Sequence, residues 1–285
     1  NVYKVEPGQI VQFQSGKLSK QKYWDIASVY HTKKQEPVGS YKQAKEELKA
    51  ILKDSVKKRM IADVPVGAFL SGGYDSSLVT AIAQEVSFGP VKTYSIGFEE
   101  ERYNEAKYAK AVAKHLGTNH TEFFIDEKSM FDLVDSIPKY YDEPFADSSQ
   151  IPSMLVAGLA AKDVTVVLSG DGGDEFFCGY NIYDNVAQAQ KLDLLGRMTY
   201  GVCQFPPFRA LGLFERLPFR VQVVAGNHDV ETKTQIGGRT YLKVIDRMLL
   251  ESGVPFKFPI ESKYQENNWQ ARRMLLDEET YLPGD

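Results

Sequence analysis

The stretch Ala68-Phe69-Leu70-Ser71-Gly72-Gly73-Tyr74-Asp75-Ser76-Ser77 changes character in its middle. Val66–Leu70 has the length and punctuation of a short buried strand, and Ser76–Val86 sets Leu78, Val79, Ile82 and Ala83 on one side of a helix. A strand that enters a helix through two glycines presents free backbone N–H groups to an anion. With hydroxyls on Ser71, Ser76 and Ser77 beside them, phosphate is the expected guest. In a parallel sheet this turn lies at the carboxyl end of a strand, where ligands bind.

Other readings of the turn fail on specific residues. No GxxxxGK followed by Ser or Thr occurs, and no GxGxxG. A GxSxG nucleophile elbow would need glycine where Phe69 stands, and none of His31, His115, His120 and His228 sits in a triad motif, so each is expected to be a surface or packing residue. The turn carries Asp75 instead. A carboxylate beside a phosphate cradle repels polyphosphate unless Mg²⁺ lies between them, so the pairing implies a metal-bound nucleotide.

Upstream, Ser40–Met60 reads as a helix with Ala44, Leu48, Ile51, Leu52 and Val56 as its apolar stripe and Ser40 with Gln43 as a capping box. Residues 1–39 read as turns and short strands, a lead-in to the core. Downstream, Val91–Phe98, His120–Ile125 and Val164–Leu168 read as strands, and Glu105–Leu116 as a helix closed by Gly117. This alternation predicts an α/β fold, a parallel sheet with flanking helices. After Asp174 the pattern turns helical, with Ile182–Leu195, Tyr241–Glu251 and Trp269–Leu276 around a Pro/Phe-rich stretch near Phe205–Pro218. The sequence predicts a mostly helical region appended to the sheet.

The 285 residues are 43% hydrophobic and 25% charged with a net charge of −4, which excludes a disordered chain and a bulk nucleic-acid coat. The charge is uneven: residues 1–60 hold 13 basic and 6 acidic side chains, yet the lysines sit on the helical pattern and suit a solvated face better than a nucleic-acid arm. No apolar run approaches the roughly 20 residues of a membrane helix, and no secretory signal is visible. Cys178 and Cys203 form neither a disulfide framework nor a zinc motif. The expected setting is cytoplasmic, without nucleic-acid or membrane partners.

A second acidic glycine loop follows the last strand: Leu168-Ser169-Gly170-Asp171-Gly172-Gly173-Asp174-Glu175. If both loops open on one sheet edge, Asp174 can meet Asp75 across one Mg²⁺, and the amides of Ser169 and Gly170 can meet the nucleotide. The spacing is not that of an EF-hand.

SGGYDSS resembles the pyrophosphate loop of the ATP pyrophosphatase (PP-loop) superfamily, whose members adenylate a substrate. Together with SIGF at Ser95–Phe98, DEPFADSS at Asp142–Ser149 and SGDGGDEFFCGY from Ser169, it is similar to the synthetase domain of glutamine-dependent asparagine synthetases. The resemblance implies an adenine nucleotide α-hydrolase-like fold and a ligase that uses ATP and Mg²⁺. A substrate carboxylate, aspartate first among candidates, is adenylated and then attacked by ammonia drawn from glutamine. It places the β,γ-pyrophosphate on Ser71, Gly72, Gly73, Asp75 and Ser76, Mg²⁺ on Asp75 and Asp174, and the nucleoside and α-phosphate against Leu70, Ile96 and Gly170. Glu105 falls where the family has an acidic residue near the active site, although helix-dipole complementarity also accounts for it. Asp142, Glu143 and Asp147 would shape the substrate side, or only form polar turns around Pro144.

Asp171 stands where the best-known asparagine synthetases have Glu, the carboxylate taken as base toward ammonia. Family branches with the GDGGDE form include enzymes of polysaccharide and lasso-peptide clusters, so amidation of a sugar or peptide carboxylate is the alternative, and a non-catalytic nucleotide-binding relic a further one. The expected organisation is the tail of a glutaminase domain plus linker over residues 1–39, the PP-loop synthetase domain over 40–195 and its helical part over 196–285. The chain would then be the middle of a longer amidotransferase, a homodimer in one arrangement, with a catalytic Cys before Asn1 and a lysine motif after Asp285.

Overall fold

The computed structural model describes residues 4–36, 38–98, 105–125, 130–142, 149–203, 206, 211 and 268–280. In chain order the principal elements are β1 (Gln9–Gln14), β2 (Lys17–Lys22), α1 (Ile26–Lys34), α2 (Tyr41–Arg59), β3 (Val66–Phe69), α3 (Tyr74–Val86), β4 (Lys92–Phe98), α4 (Ala106–Leu116), β5 (Asn119–Ile125), α5 (Gln150–Ala160), β6 (Val166–Leu168), α6 (Gly173–Phe177), α7 (Asn181–Cys203) and α8 (Trp269–Thr280). They fall into two units, Pro37–Asp171 and Asn1–Glu36 with Gly172–Asp285.

In Pro37–Asp171, four parallel strands run in the order β5-β4-β3-β6, with Ala68 opposite both Thr93 and Leu168. Strand alternation divides the packing. Ala68 and Leu168 meet Val56, Ile82, Ala83 and Val91 on the α2–α3 face. Leu70 meets Ala109 and Ala113 of α4. On the other face Phe69, Tyr94 and Val167 meet Val156, Leu159 and Ala160 of α5. Right-handed crossovers explain the split: β3 to β4 to β5 steps one way along the sheet, and the return to β6 steps the other way, so its helix must cover the opposite face. Each large aliphatic side chain buried in these layers is worth about 2 kcal/mol.

The predicted strands and helices of this unit are present within two residues at each end. Ser40 caps α2, accepting from the Gln43 amide at 3.2 Å. The reciprocal half of the capping box is not made, because the Gln43 side chain donates to Glu47 Oε1 at 2.8 Å. Ile51 is 64% exposed and falls off the expected stripe. Helix α5 was not expected: QIPSMLVAGLA is apolar nearly all round and has no 3.6-residue alternation to read.

The second unit opens with the hairpin β1–β2, in which Phe13 faces Leu18 across a two-residue Ser15-Gly16 turn; both turn residues have positive φ. That matches the twist-compatible hairpin turn. The lead-in is more than turns and strands, because it also contains α1, capped by Asp25, which accepts from the Ser28 amide at 3.1 Å. Ala27 of α1 is buried with Leu275 of α8. Helix α8 also packs on α6 and α7, and inside it Arg273 Nε donates to Asp277 Oδ2 at 2.8 Å. Among the described residues no strand follows Asp174 and no helix is long and apolar enough to cross a membrane. The helix expected over Tyr241–Glu251 lies outside the described residues.

Candidate nucleotide site

The loop after β3 and the loop after β6 leave adjacent strands on either side of the point where the chain reverses direction across the sheet. Open α/β sheets bind ligands at such a crevice. The first loop is tied by its own serines. Ser71 Oγ and Ser76 Oγ are 2.8 Å apart, the Ser71 amide donates to Ser76 Oγ at 3.3 Å, and the Gly73 amide donates to Ser71 Oγ at 3.3 Å. These bonds hold the turn shape. The hydroxyl of Ser76 is buried in that network, whereas the buried Ser77 Oγ has no partner among the described residues. The first-turn amides of Tyr74, Asp75 and Ser76 likewise have none. Unpaired amides at a helix start are the kind of donors that bind anions.

Two glycines set how closely neighbouring segments approach this end. Gly72 has φ +89°, and a Cβ on it would lie 2.6 Å from the Ala109 nitrogen. The first turn of α4 therefore packs directly on the loop. Glu105 stands at the N-cap position of that helix, exposed and without a side-chain cap bond, its carbonyl accepting from the Ala109 amide at 3.2 Å. Gly170 lies against the other side, where a Cβ would come within 2.7 Å of the Ser76 nitrogen. The two glycine loops thus touch through backbone. Next to Gly170, Ser169 Oγ donates to Asp171 Oδ2 at 2.6 Å, with Asp171 itself exposed.

The remaining predicted residues are distributed as follows. Asp75 is half-buried on the first turn of α3. Leu70 is 1% exposed beneath α4, so only its backbone is available at the loop. Ile96 is half-buried on β4 opposite Phe123 of β5. Asp142 is exposed after the short helical turn Ile137–Tyr140, and Glu143 and Asp147 lie outside the described residues.

Asp174 belongs to the second unit, on the first turn of α6. A Cβ on Gly179 would overlap Asp174 Oδ1, and the Gly179 amide donates to the Asp174 carbonyl at 2.9 Å. Gly179 thereby leaves room for the carboxylate. Its place in SGDGGDEFFCGY was the available signal, although spacing alone does not show which side chain needs the room. Glu175, beside Asp174, is 2% exposed and accepts from Tyr180 Oη at 2.7 Å.

His120 is a packing residue, as expected. Nδ1 lies 2.9 Å from Thr93 Oγ1 and Nε2 3.2 Å from Ser95 Oγ, and burial holds its pKa below the usual value. Among the described residues no three His, Cys, Asp or Glu side chains form a metal-binding group. A nucleotide-bound Mg²⁺ needs fewer, because it takes only one or two carboxylates besides phosphate and water.

A family model described as asparagine synthase matches residues 47–285. A 188-residue stretch is 42% identical to a Methanocaldococcus jannaschii protein provisionally named glutamine-hydrolysing asparagine synthetase 2, covering 65% of this chain and 35% of that one. Glutamine-hydrolysing asparagine synthetase 1 of Bacillus subtilis is 44% identical over 139 residues, 48% of this chain and 22% of its own. Asparagine synthetase B of Escherichia coli is 30% identical over 164 residues, 52% and 29%. The matches span 22% to 35% of the length of these relatives.

Proposed function

Since the chain belongs to the asparagine synthase family, we propose that it provides the ATP-dependent amide-forming site of a ligase that converts aspartate to asparagine. The observation that carries the reading is the backbone contact of Gly170 with the start of α3, which joins two glycine loops at the reversal point of the sheet. Loops side by side at such a point form the crevice where open α/β sheets bind ligands.

The free amides of Tyr74, Asp75 and Ser76 bind the pyrophosphate end of ATP, and Gly170, packed directly on Ser76, holds the second loop beside them. Asp75 fits a metal ligand: its carboxylate is half-buried and makes no ion pair among the described residues. Asp174 is proposed as the second ligand on the sequence pattern alone. Mg²⁺, when bound, supplies charge neutralisation on the phosphates. The substrate carboxylate oxygen attacks the α-phosphorus; the bond to the β-phosphate breaks and pyrophosphate leaves. Ammonia, released from glutamine, then attacks the acyl-adenylate carbonyl, AMP departs with the bonding pair, and the nitrogen loses a proton to Asp171. Catalysis consists largely of positioning and charge stabilisation. Asp171 is one methylene shorter than Glu and is bonded to Ser169 within its own loop. That shorter reach favours, as the second reading, a carboxylate other than aspartate.

Incubating the full-length protein with Mg-ATP, aspartate and ammonia tests the proposal. AMP, pyrophosphate and asparagine are expected; ADP in place of AMP overturns it, and turnover with another carboxylate but not aspartate selects the second reading.

A further inference from the structure

Within the second unit, α1, α6 and α8 line a pocket of about 440 Å³, partly open to solvent, that no step of the proposed reaction uses. Its walls are apolar, built by Ile26, Tyr30, Phe176, Met274 and Leu275. That volume lies in the range of small-molecule sites, which combine apolar walls with a few convergent polar groups. Here the polar groups are of opposite sign and stand on different helices. Lys33 and Lys34 line it from α1, and Glu278 lines it from α8.

The acidic side has an excess of negative charge. Glu278 lies near Glu175 and Asp277, and Arg273 is already bonded to Asp277 at 2.7 and 2.8 Å. Glu278 makes no hydrogen bond or ion pair among the described residues. Burial, with Glu175 and Asp277 adding to it, pushes its carboxyl up to about 7. An ammonium group placed there would offset that excess. The basic side is more open: Lys33 pairs with exposed Glu36 at 3.0 Å, and Lys34 lies 5.6 Å over the Tyr30 ring. An exposed pair such as Lys33–Glu36 is worth under about 1 kcal/mol and is readily exchanged for an incoming carboxylate.

We propose that this pocket binds a free amino acid with an apolar side chain, its ammonium toward Glu278, its carboxylate toward Lys33 and Lys34, and its side chain against Tyr30 and Phe176. Phe176 sits two residues past Asp174 on α6, so an occupant braces the helix that carries that carboxylate. The inference does not depend on the ligase reading, and no nucleotide enters its test.

The test is calorimetric titration of the full-length protein with L-phenylalanine and L-leucine, set against 3-phenylpropanoate, which lacks the amine, and phenethylamine, which lacks the carboxylate. The expected result is saturable binding of at least one amino acid with Kd of about 1 mM or tighter, and at least about tenfold weaker binding of both truncated compounds. Glu278→Gln, and Lys33→Ala with Lys34→Ala, are each expected to weaken binding about tenfold or more, and Met274→Trp to abolish it by filling the space. Lys33 and Lys34 are exposed, so their double variant keeps its fold and decides the matter alone if another variant does not. No binding of either amino acid at about ten times that concentration, unchanged affinity in the double lysine variant, or phenethylamine binding as tightly as phenylalanine overturns the proposal.

Discussion

Gly170 stands against Ser76 so closely that a methyl group on the glycine would lie 2.7 Å from the serine's backbone nitrogen and 3.0 Å from Asp75 Cβ. Neither neighbour can rotate away, because both belong to the first turn of α3. Gly170→Ala is therefore expected to push the two loops apart, at about 1–3 kcal/mol of stability and about 100-fold in ATP turnover. Pyrophosphate release and thermal melting on the same preparation check both numbers.

Asp75→Ala should have the opposite profile. The side chain is half-buried, supports no ion pair among the described residues and packs in no core cluster. A melting temperature close to that of the parent is expected, with turnover down about 100-fold or more. Turnover within about threefold of the parent would contradict the assignment.

Gly179→Ala tests whether Asp174 needs the space it has. The added methyl overlaps Asp174 Oδ1, so the carboxylate must leave its position. Turnover is expected to fall about as far as in Asp174→Asn, and the two changes together should cost little more than either alone. Additive losses in that cycle would show that Gly179 acts elsewhere.

Glu278 gives a pH prediction. Its carboxyl is raised from an ordinary 4.5 to about 7 in the folded chain, through burial first and then Glu175 and Asp277. The folded state holds the proton more tightly than the unfolded state, so this contribution to stability is complete below pH 4.5 and lost as pH rises through 7. Melting curves of the parent and of Glu278→Gln between about pH 5 and 8 should differ in slope, the variant losing less. Parallel curves would remove Glu278 as the source.

The loop sequence made much of the first unit legible, because glycine pairs, serine caps and alternation are local signals. β3, α3, β4, α4 and β5 follow from them within two residues. Helix α5 was illegible because a helix apolar on nearly every side carries no period. Helix α1 did carry its signal, Asp25 as cap and Ile26, Val29 and Tyr30 at helical spacing, but it sits among strand-like residues that masked it. The candidate site divides the same way. Residue types at the turns could be read directly, whereas the tie between Ser71 and Ser76, the burial of Leu70 and the room Gly179 leaves for Asp174 depend on distances no spacing encodes.

The pairing of Val66 with Val166 joins positions a hundred residues apart. Closing a loop of that length costs a few kcal/mol of chain entropy before any contact repays it, and parallel pairings of this kind form slowly. Strand β3 can dock with β4 while the chain beyond is still unordered, but β6 must arrive across everything between. The crevice between the glycine loops is thus completed only when β6 docks. Nucleotide capture during refolding should report completion of the sheet, lagging behind the helical signal that α2 and α3 supply early.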